Sequence, residues 1–163
     1  MSINFKRVIE FSHYVDETNI RISQEIVANS KIPMHRFSIF IPFNNREIGP
    51  VATVIMYNPS KAGLKIDIGK RISDFTVYNV LQFLYHHKEK FKAVRIMNLF
   101  SSYSSNPRRL NSSKLNHIKN NRALKNRISK INHVRGDKLI LAWGNLPKSA
   151  PAKISKLYKK QIE

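Results

Sequence analysis

The chain has 163 residues, of which 29 are Lys or Arg and 10 are Asp or Glu, so its formal charge at pH 7 is +19. A hydrophobic share of 42% suffices for one buried core and excludes a disordered basic tail. Cysteine is absent, which excludes disulfides, thiolate zinc sites and cysteine nucleophiles. We expect a single domain over residues 1–163, with a helical preface over residues 1–35 and an α/β core over residues 36–163.

The first half of the chain predicts one helix and two strands. Apolar residues at near-helical spacing predict a helix over residues 16–30, with Asp16 as its cap. Residues 36–41 have the composition of a strand, which Pro42 ends. Residues 51–57 form a continuous apolar run, which is typical of a buried central strand.

The second half of the chain alternates helices with strands. The spacing of apolar residues predicts helices over residues 74–87 and 115–131, while residues 93–100 and 138–143 resemble buried strands. Pro151 opens a last predicted helix. This alternation predicts an α/β fold, a three-layer sandwich in which helices flank a central, mainly parallel sheet of about four strands.

Polar and aromatic residues follow three of the predicted strands. They are Tyr57 to Ser60, Asn98 with the hydroxyls after it, and Trp143 to Asn145. In a parallel sheet the carboxyl ends of the strands meet at one edge, where ligands bind. Amides can pair with the edge of a planar base and aromatic rings can stack on its face, so this edge is a candidate base-recognition site.

Each of these features also has a structural interpretation. Asn58-Pro59 is a common turn after a strand, and the Asn98 amide could serve only to satisfy backbone groups at a strand end. Trp143 could be a core residue. All three features occur at corresponding positions, directly after a predicted strand. This coincidence favours a shared base-recognition site over three separate structural roles.

The same three segments resemble the uracil-DNA glycosylase superfamily. Residues 55–60 (IMYNPS) are similar to its first motif in the mismatch-specific branch, residues 95–99 (RIMNL) to its Asn-terminated strand, and residues 139–145 (LILAWGN) to its Leu-Trp-Gly strand end. The chain also resembles a family of uncharacterised bacterial and phage proteins that share these steps and an Asp-x-Thr, here residues 74–76.

The resemblance implies a monofunctional DNA N-glycosylase, which hydrolyses the N-glycosidic bond of a flipped base and leaves an abasic site. Asn58 would orient the attacking water, because an amide has no useful pKa for a general base, and Asp74 could act on that water or only cap a helix. The base would be held by Tyr57, Ser60, Phe75, Asn98, Trp143 and Asn145, and phosphates by Lys61, Arg108, Arg109, Lys119 and Arg122.

Two departures from the superfamily bear on the substrate. None of the six histidines matches the late motif that supplies a catalytic histidine, and the first motif is altered. A modified pyrimidine, such as a bulky phage-type base, is therefore favoured over plain uracil. The phage-associated relatives suggest a role in antiviral defence.

The charge favours a nucleic-acid partner independently of the resemblance. No acidic residue lies between Glu89 and Asp137, an interval that contains twelve Lys and Arg residues. Phosphate contacts by such residues release counterions and drive binding. The structural alternative is that these residues form only a solvated surface. The alternative functions are a non-enzymatic nucleic-acid-binding module and an RNA-binding protein.

The remaining expectations concern cofactors, location and assembly. No carboxylate cluster has the spacing of a divalent-metal site, so we expect no metal and no cofactor. The N-terminus lacks the apolar stretch of a signal peptide and no segment reaches membrane length, so we expect a cytoplasmic protein without a membrane partner. We expect a monomer.

Overall fold

The computed structural model describes residues 9–25, 34–59, 62–65, 70–103 and 117–144. These residues form seven strands and two α-helices. In chain order they are β1 (Ile9–Glu10), β2 (Arg21–Glu25), β3 (His35–Pro42), β4 (Val51–Met56), β5 (Ile72–Ser73), α1 (Phe75–His86), β6 (Ala93–Asn98), α2 (His117–Ile128) and β7 (Lys138–Leu141).

Five strands form one mixed sheet in the order β2-β3-β6-β4-β7, and β1 pairs separately with β5. β6, β4 and β7 are parallel to one another, whereas β3 is antiparallel to both β2 and β6. The predicted sandwich with a mainly parallel, helix-flanked sheet is therefore wrong. The described residues are mostly sheet, with only two α-helices.

The reversal of β3 has a simple cause in chain length. A parallel connection within a sheet needs a crossover of about a dozen residues or more, usually a helix. Residues 43–50 alone join β3 to β4, so β4 runs opposite to β3. β6 then lies between them, parallel to β4 and antiparallel to β3.

The predicted helix over residues 16–30 is also wrong where the structure describes it. Asp16 caps only a short 3-10 turn at Glu17–Asn19, where its side chain accepts a hydrogen bond from the backbone N–H of Asn19. The chain then enters β2 and pairs with β3. The strands β3, β4, β6 and β7 and the helices α1 and α2 lie where the apolar patterns predict them, whereas β1 and β5 were not predicted. The last predicted helix, from Pro151, lies outside the described residues.

The core lies on both faces of the sheet. Alternate residues of a strand point to opposite faces, and Val54 and Ile96 pack with Val77 and Leu81 of α1 in one cluster. Leu124 of α2 packs in a second cluster, against residues such as Ile55 and Met97, which follow Val54 and Ile96 in sequence. α1 and α2 therefore cover opposite faces, called here the α1 face and the α2 face.

Candidate functional site

The carboxyl ends of the parallel strands meet at one edge of the sheet. Met56 lies opposite Asn98 in the β4–β6 ladder, and the N–H of Leu99 donates to the carbonyl oxygen of Met56 at 2.9 Å. On the other side of β4, the N–H of Ala142 donates to the carbonyl oxygen of Ile55 at 2.8 Å. The segments that follow β4, β6 and β7 thus leave from the same edge, here called the strand-end site.

Asn98 is the central residue of this edge. It is the last residue of β6, its exposure is 0%, and its side chain shares the α1 face with Val94 and Ile96. Among the residues that the structure describes, none forms a hydrogen bond with its amide oxygen or its amide nitrogen. A buried polar group without a partner costs about 1–3 kcal/mol, so a ligand that offers both a donor and an acceptor would satisfy a real deficit here.

A buried arginine lies at the same edge and was not predicted. Arg36, near the start of β3, is 1% exposed, its backbone N–H donates to the carbonyl oxygen of Ser101, and its guanidinium donates to the carbonyl oxygen of Ala62. Burial lowers the pKa of Arg36, while Tyr103 and Asp74 partly offset this by favouring its charge. The site therefore contains a buried cation beside a carboxylate.

Asp74 acts as the N-cap of α1. Its Oδ1 accepts hydrogen bonds from the N–H groups of Thr76 at 2.9 Å and Val77 at 3.0 Å. This is the structural role that the sequence left open, and it holds the carboxylate in one place. The adjacent Phe75 is 69% exposed at the first position of α1, so its ring is accessible to a ligand.

The aromatic residues of the strand ends have mostly structural roles. Tyr57 is buried and packs edge-on against Phe100, with ring centroids 5.2 Å apart. Trp143 is half-buried and packs against the cluster under α2. Tyr57 and Trp143 thus belong to the α2 face, away from the Asn98 side chain. The structure does not bring them together with Asn98 as a stacking pair.

The amide of Asn58 follows β4 directly. Its Nδ2 donates to the carbonyl oxygen of Pro59 at 3.3 Å, and the side chain is half-buried. Asn58 lies two residues beyond Met56, which is opposite Asn98. The two asparagines therefore stand at neighbouring strand ends, as the sequence predicts.

The predicted phosphate-binding residues are only partly described. Lys119 forms an ion pair with Glu25, with 3.0 Å between Nζ and Oε1, so its charge is partly neutralised, and Arg122 is exposed on α2. Five predicted residues lie outside the described part of the chain. They are Ser60, Lys61, Arg108, Arg109 and Asn145.

Two further polar residues at this edge were missed by the sequence patterns. His35 Nδ1 lies 3.0 Å from Ser101 Oγ, and both residues are buried. Burial lowers the pKa of His35 and outweighs the opposite effect of the Glu25 carboxylate, and the charge of Lys119 lowers the pKa a little further. A histidine in a strand of apolar residues carries no motif, so only the three-dimensional pairing reveals it.

The described residues form a mixed five-stranded sheet with two α-helices, and a buried amide lies at the end of β6, with a buried arginine in β3 and a carboxylate at the cap of α1. A family model described as "protein of unknown function (DUF1643)" matches residues 44–162, well over half of the chain, so the chain belongs to that family. No curated protein and no solved structure matches the chain.

Proposed function

We propose that this protein is a DNA glycosylase that receives one extruded base at the strand-end site and hydrolyses its N-glycosidic bond. The observation that carries the proposal is the fully buried side chain of Asn98, whose amide oxygen and nitrogen have no hydrogen-bond partner among the described residues. The edge of a pyrimidine presents a donor and an acceptor side by side, which is the pattern that one asparagine amide can match.

The surrounding groups suit the charges that develop during this reaction. Cleavage leaves an oxocarbenium-like sugar and an anionic base. The buried guanidinium of Arg36 would stabilise the negative base, and the carboxylate of Asp74, which stays at the α1 cap, would stabilise the positive sugar. Asn58 would orient the water, since its amide cannot take a proton at neutral pH.

The finer parts of the proposal concern substrate and setting. The altered first motif favours a modified pyrimidine, including a bulky phage-type base. A monomer in the cytoplasm that attacks modified phage DNA would act in antiviral defence. No helix among the described residues is long and apolar enough to cross a membrane.

A non-enzymatic nucleic-acid-binding module is the second candidate. It is favoured by the geometry of Asp74, whose Oδ1 accepts two backbone hydrogen bonds as the cap of α1. This alternative retains the charge of +19 and the strand-end site but omits the bond cleavage.

The test incubates the purified chain with unmodified DNA and with DNA that carries hydroxymethylated or glucosylated pyrimidines, and counts abasic sites by alkaline cleavage. We expect abasic sites on one modified DNA. Asn58→Ala should bind that DNA within about twofold of wild type and lose roughly a hundredfold or more in rate. Asn126→Ala, an exposed amide on α2, is the matched control.

The two candidates give different results in this assay. Binding without abasic sites on any of the DNAs would reject the glycosylase and leave the binding module. In that case Asn58→Ala should change neither binding nor any cellular effect, and only loss of basic residues such as Arg108 and Arg109 should do so.

A further inference from the structure

A row of cations crosses the sheet on the α2 face, far from the side chain of Asn98. Arg21 of β2 lies directly opposite Phe40 of β3, and Phe40 lies directly opposite Arg95 of β6. The guanidinium carbons of Arg21 and Arg95 are 4.6 and 4.7 Å from the centroid of the Phe40 ring. The two strands on either side of β3 thus each place a guanidinium against the ring of Phe40.

A third arginine reaches this row from α2. Arg127 lies one helical turn beyond Leu124, which packs against Met97, and Met97 is two residues from Arg95 on the same face. The pKa of Arg95 falls to about 10, chiefly through burial and further through the charges of Arg127 and Arg21. Arg95 is therefore close enough to both Arg21 and Arg127 to be repelled by each of them.

Among the described residues, no acidic side chain forms an ion pair with these arginines. The ion pairs among the described residues involve Lys70, Lys119 and Lys138, and none includes Arg21, Arg95 or Arg127. The Nε atoms of Arg95 and Arg127 are buried without a hydrogen-bond acceptor. Partly buried arginines are normally paired with anions, so an anion is the missing component.

We propose that Arg21, Arg95 and Arg127 form a phosphate-binding site that holds the sugar–phosphate backbone of the bound nucleic acid against the α2 face. The inference rests on the nucleic-acid partner of the proposed function but not on its chemistry. Guanidinium groups match phosphate oxygens in paired hydrogen bonds, and Phe40 fixes the position of two of them without contributing a competing charge.

The space beside the row is suited to an extended chain. A cavity of about 560 Å³ adjoins the row, and its lining includes Arg21, Phe40 and Lys92. The lining also includes Asp16 and Glu47, whose carboxylates would repel phosphate.

The experiment measures the affinity of the full chain for a fluorescent single-stranded oligonucleotide and its duplex over a range of salt concentrations. Arg21→Gln with Arg127→Gln should weaken binding roughly tenfold or more near about 0.1 M salt, and lower the slope of log affinity against log salt by about 1.4–1.8. Lys88→Gln with Lys90→Gln removes the same charge from exposed positions outside the row and should change the slope by less than about 0.5.

Arg21→Gln alone guards against misfolding of the double variant, because Arg21 is exposed on an edge strand. It should lower the slope by about 0.7–0.9.

Equal slopes for wild type and both arginine variants would overturn the inference, and so would an equal loss of slope in the Lys88→Gln, Lys90→Gln variant. If the arginine effect is found but wild type makes no abasic sites, the phosphate site stands and the glycosylase does not. If wild type binds no nucleic acid, both are rejected.

Discussion

Asn120 of α2 donates its side-chain amide to the carbonyl oxygen of Asn98, the last residue of β6, across 3.0 Å. The same amide group donates to the carbonyl oxygen of Leu99 at 2.8 Å, and Asn120 is buried. One side chain thus holds the backbone on both sides of the point where β6 ends. This contact leaves the side chain of Asn98 free to face the opposite side of the sheet.

Replacing Asn120 should destabilise the fold strongly. Asn120→Leu keeps the approximate volume but leaves two buried carbonyl oxygens without these donors, so we expect the free energy of unfolding to fall by about 2–4 kcal/mol. Chemical denaturation measures this. Asn126→Ala, on the exposed side of the same helix, should change the free energy of unfolding by less than about 0.5 kcal/mol. A similarly small change for Asn120→Leu would contradict a stabilising role of these two hydrogen bonds.

Replacing Asn98 should have the opposite effect on stability. Its amide is buried without partners, so Asn98→Leu removes an uncompensated polar group and should raise the free energy of unfolding by about 1 kcal/mol. Functional residues often carry such a cost. A thermal melt of the pure variant tests this, and a clear loss of stability would show that the amide is satisfied in the native protein.

His35 should make stability depend on pH in a defined direction. Its pKa is lowered in the folded protein, chiefly by burial, so below the usual value of 6.5 the unfolded chain binds a proton that the folded chain resists. The contribution of His35 to the free energy of unfolding is therefore fully present above about pH 6.5. It is lost as the pH falls from there through the lowered pKa of the folded protein. Denaturation curves of wild type and His35→Gln should converge in this range, whereas His133→Gln, at an exposed position, should keep the wild-type profile.

Gly63 should tolerate no side chain. Its φ is +86°, and a Cβ there would lie 2.6 Å from Ile39 Cδ1 and 2.9 Å from Ile22 Cδ1. Gly63→Ala should cost about 1–3 kcal/mol through backbone strain and crowding together. Gly144→Ala has a similar φ of +65° but open space around it, so its cost should be about 1 kcal/mol. Equal losses in thermal melts would rule out crowding at Gly63.

The sequence predicts the buried strands well and the sheet poorly. The unbroken apolar runs of β4 and β6 have few other interpretations, because both faces of a central strand are covered. Ile20 and Ile22 fit a helix as well as a strand in so short a segment, and only pairing with β3 decides for a strand. Strand direction depends on pairing between distant residues, which no local pattern contains.

The candidate site is predictable at the strand ends and not elsewhere. A polar Asn98 that closes an apolar strand is visible in the sequence, whereas Arg36 looks like an ordinary charge before a strand and is found buried only in the fold. The row of Arg21, Phe40 and Arg95 depends on the register of three strands. Arg21 and Phe40 are 19 positions apart in the sequence, and Phe40 and Arg95 are 55 positions apart. Only the pairing of the strands brings them together, so sequence spacing alone cannot reveal the row.

The most direct test of the account is the rate of abasic-site formation by Asn98→Leu beside wild type, on the DNA that wild type processes, with each protein in excess over DNA. The account predicts a loss of roughly a hundredfold or more for Asn98→Leu, since its amide would hold the base, in a variant at least as stable as wild type. A wild-type rate in Asn98→Leu, or no abasic sites from wild type on any DNA that it binds, would contradict the account.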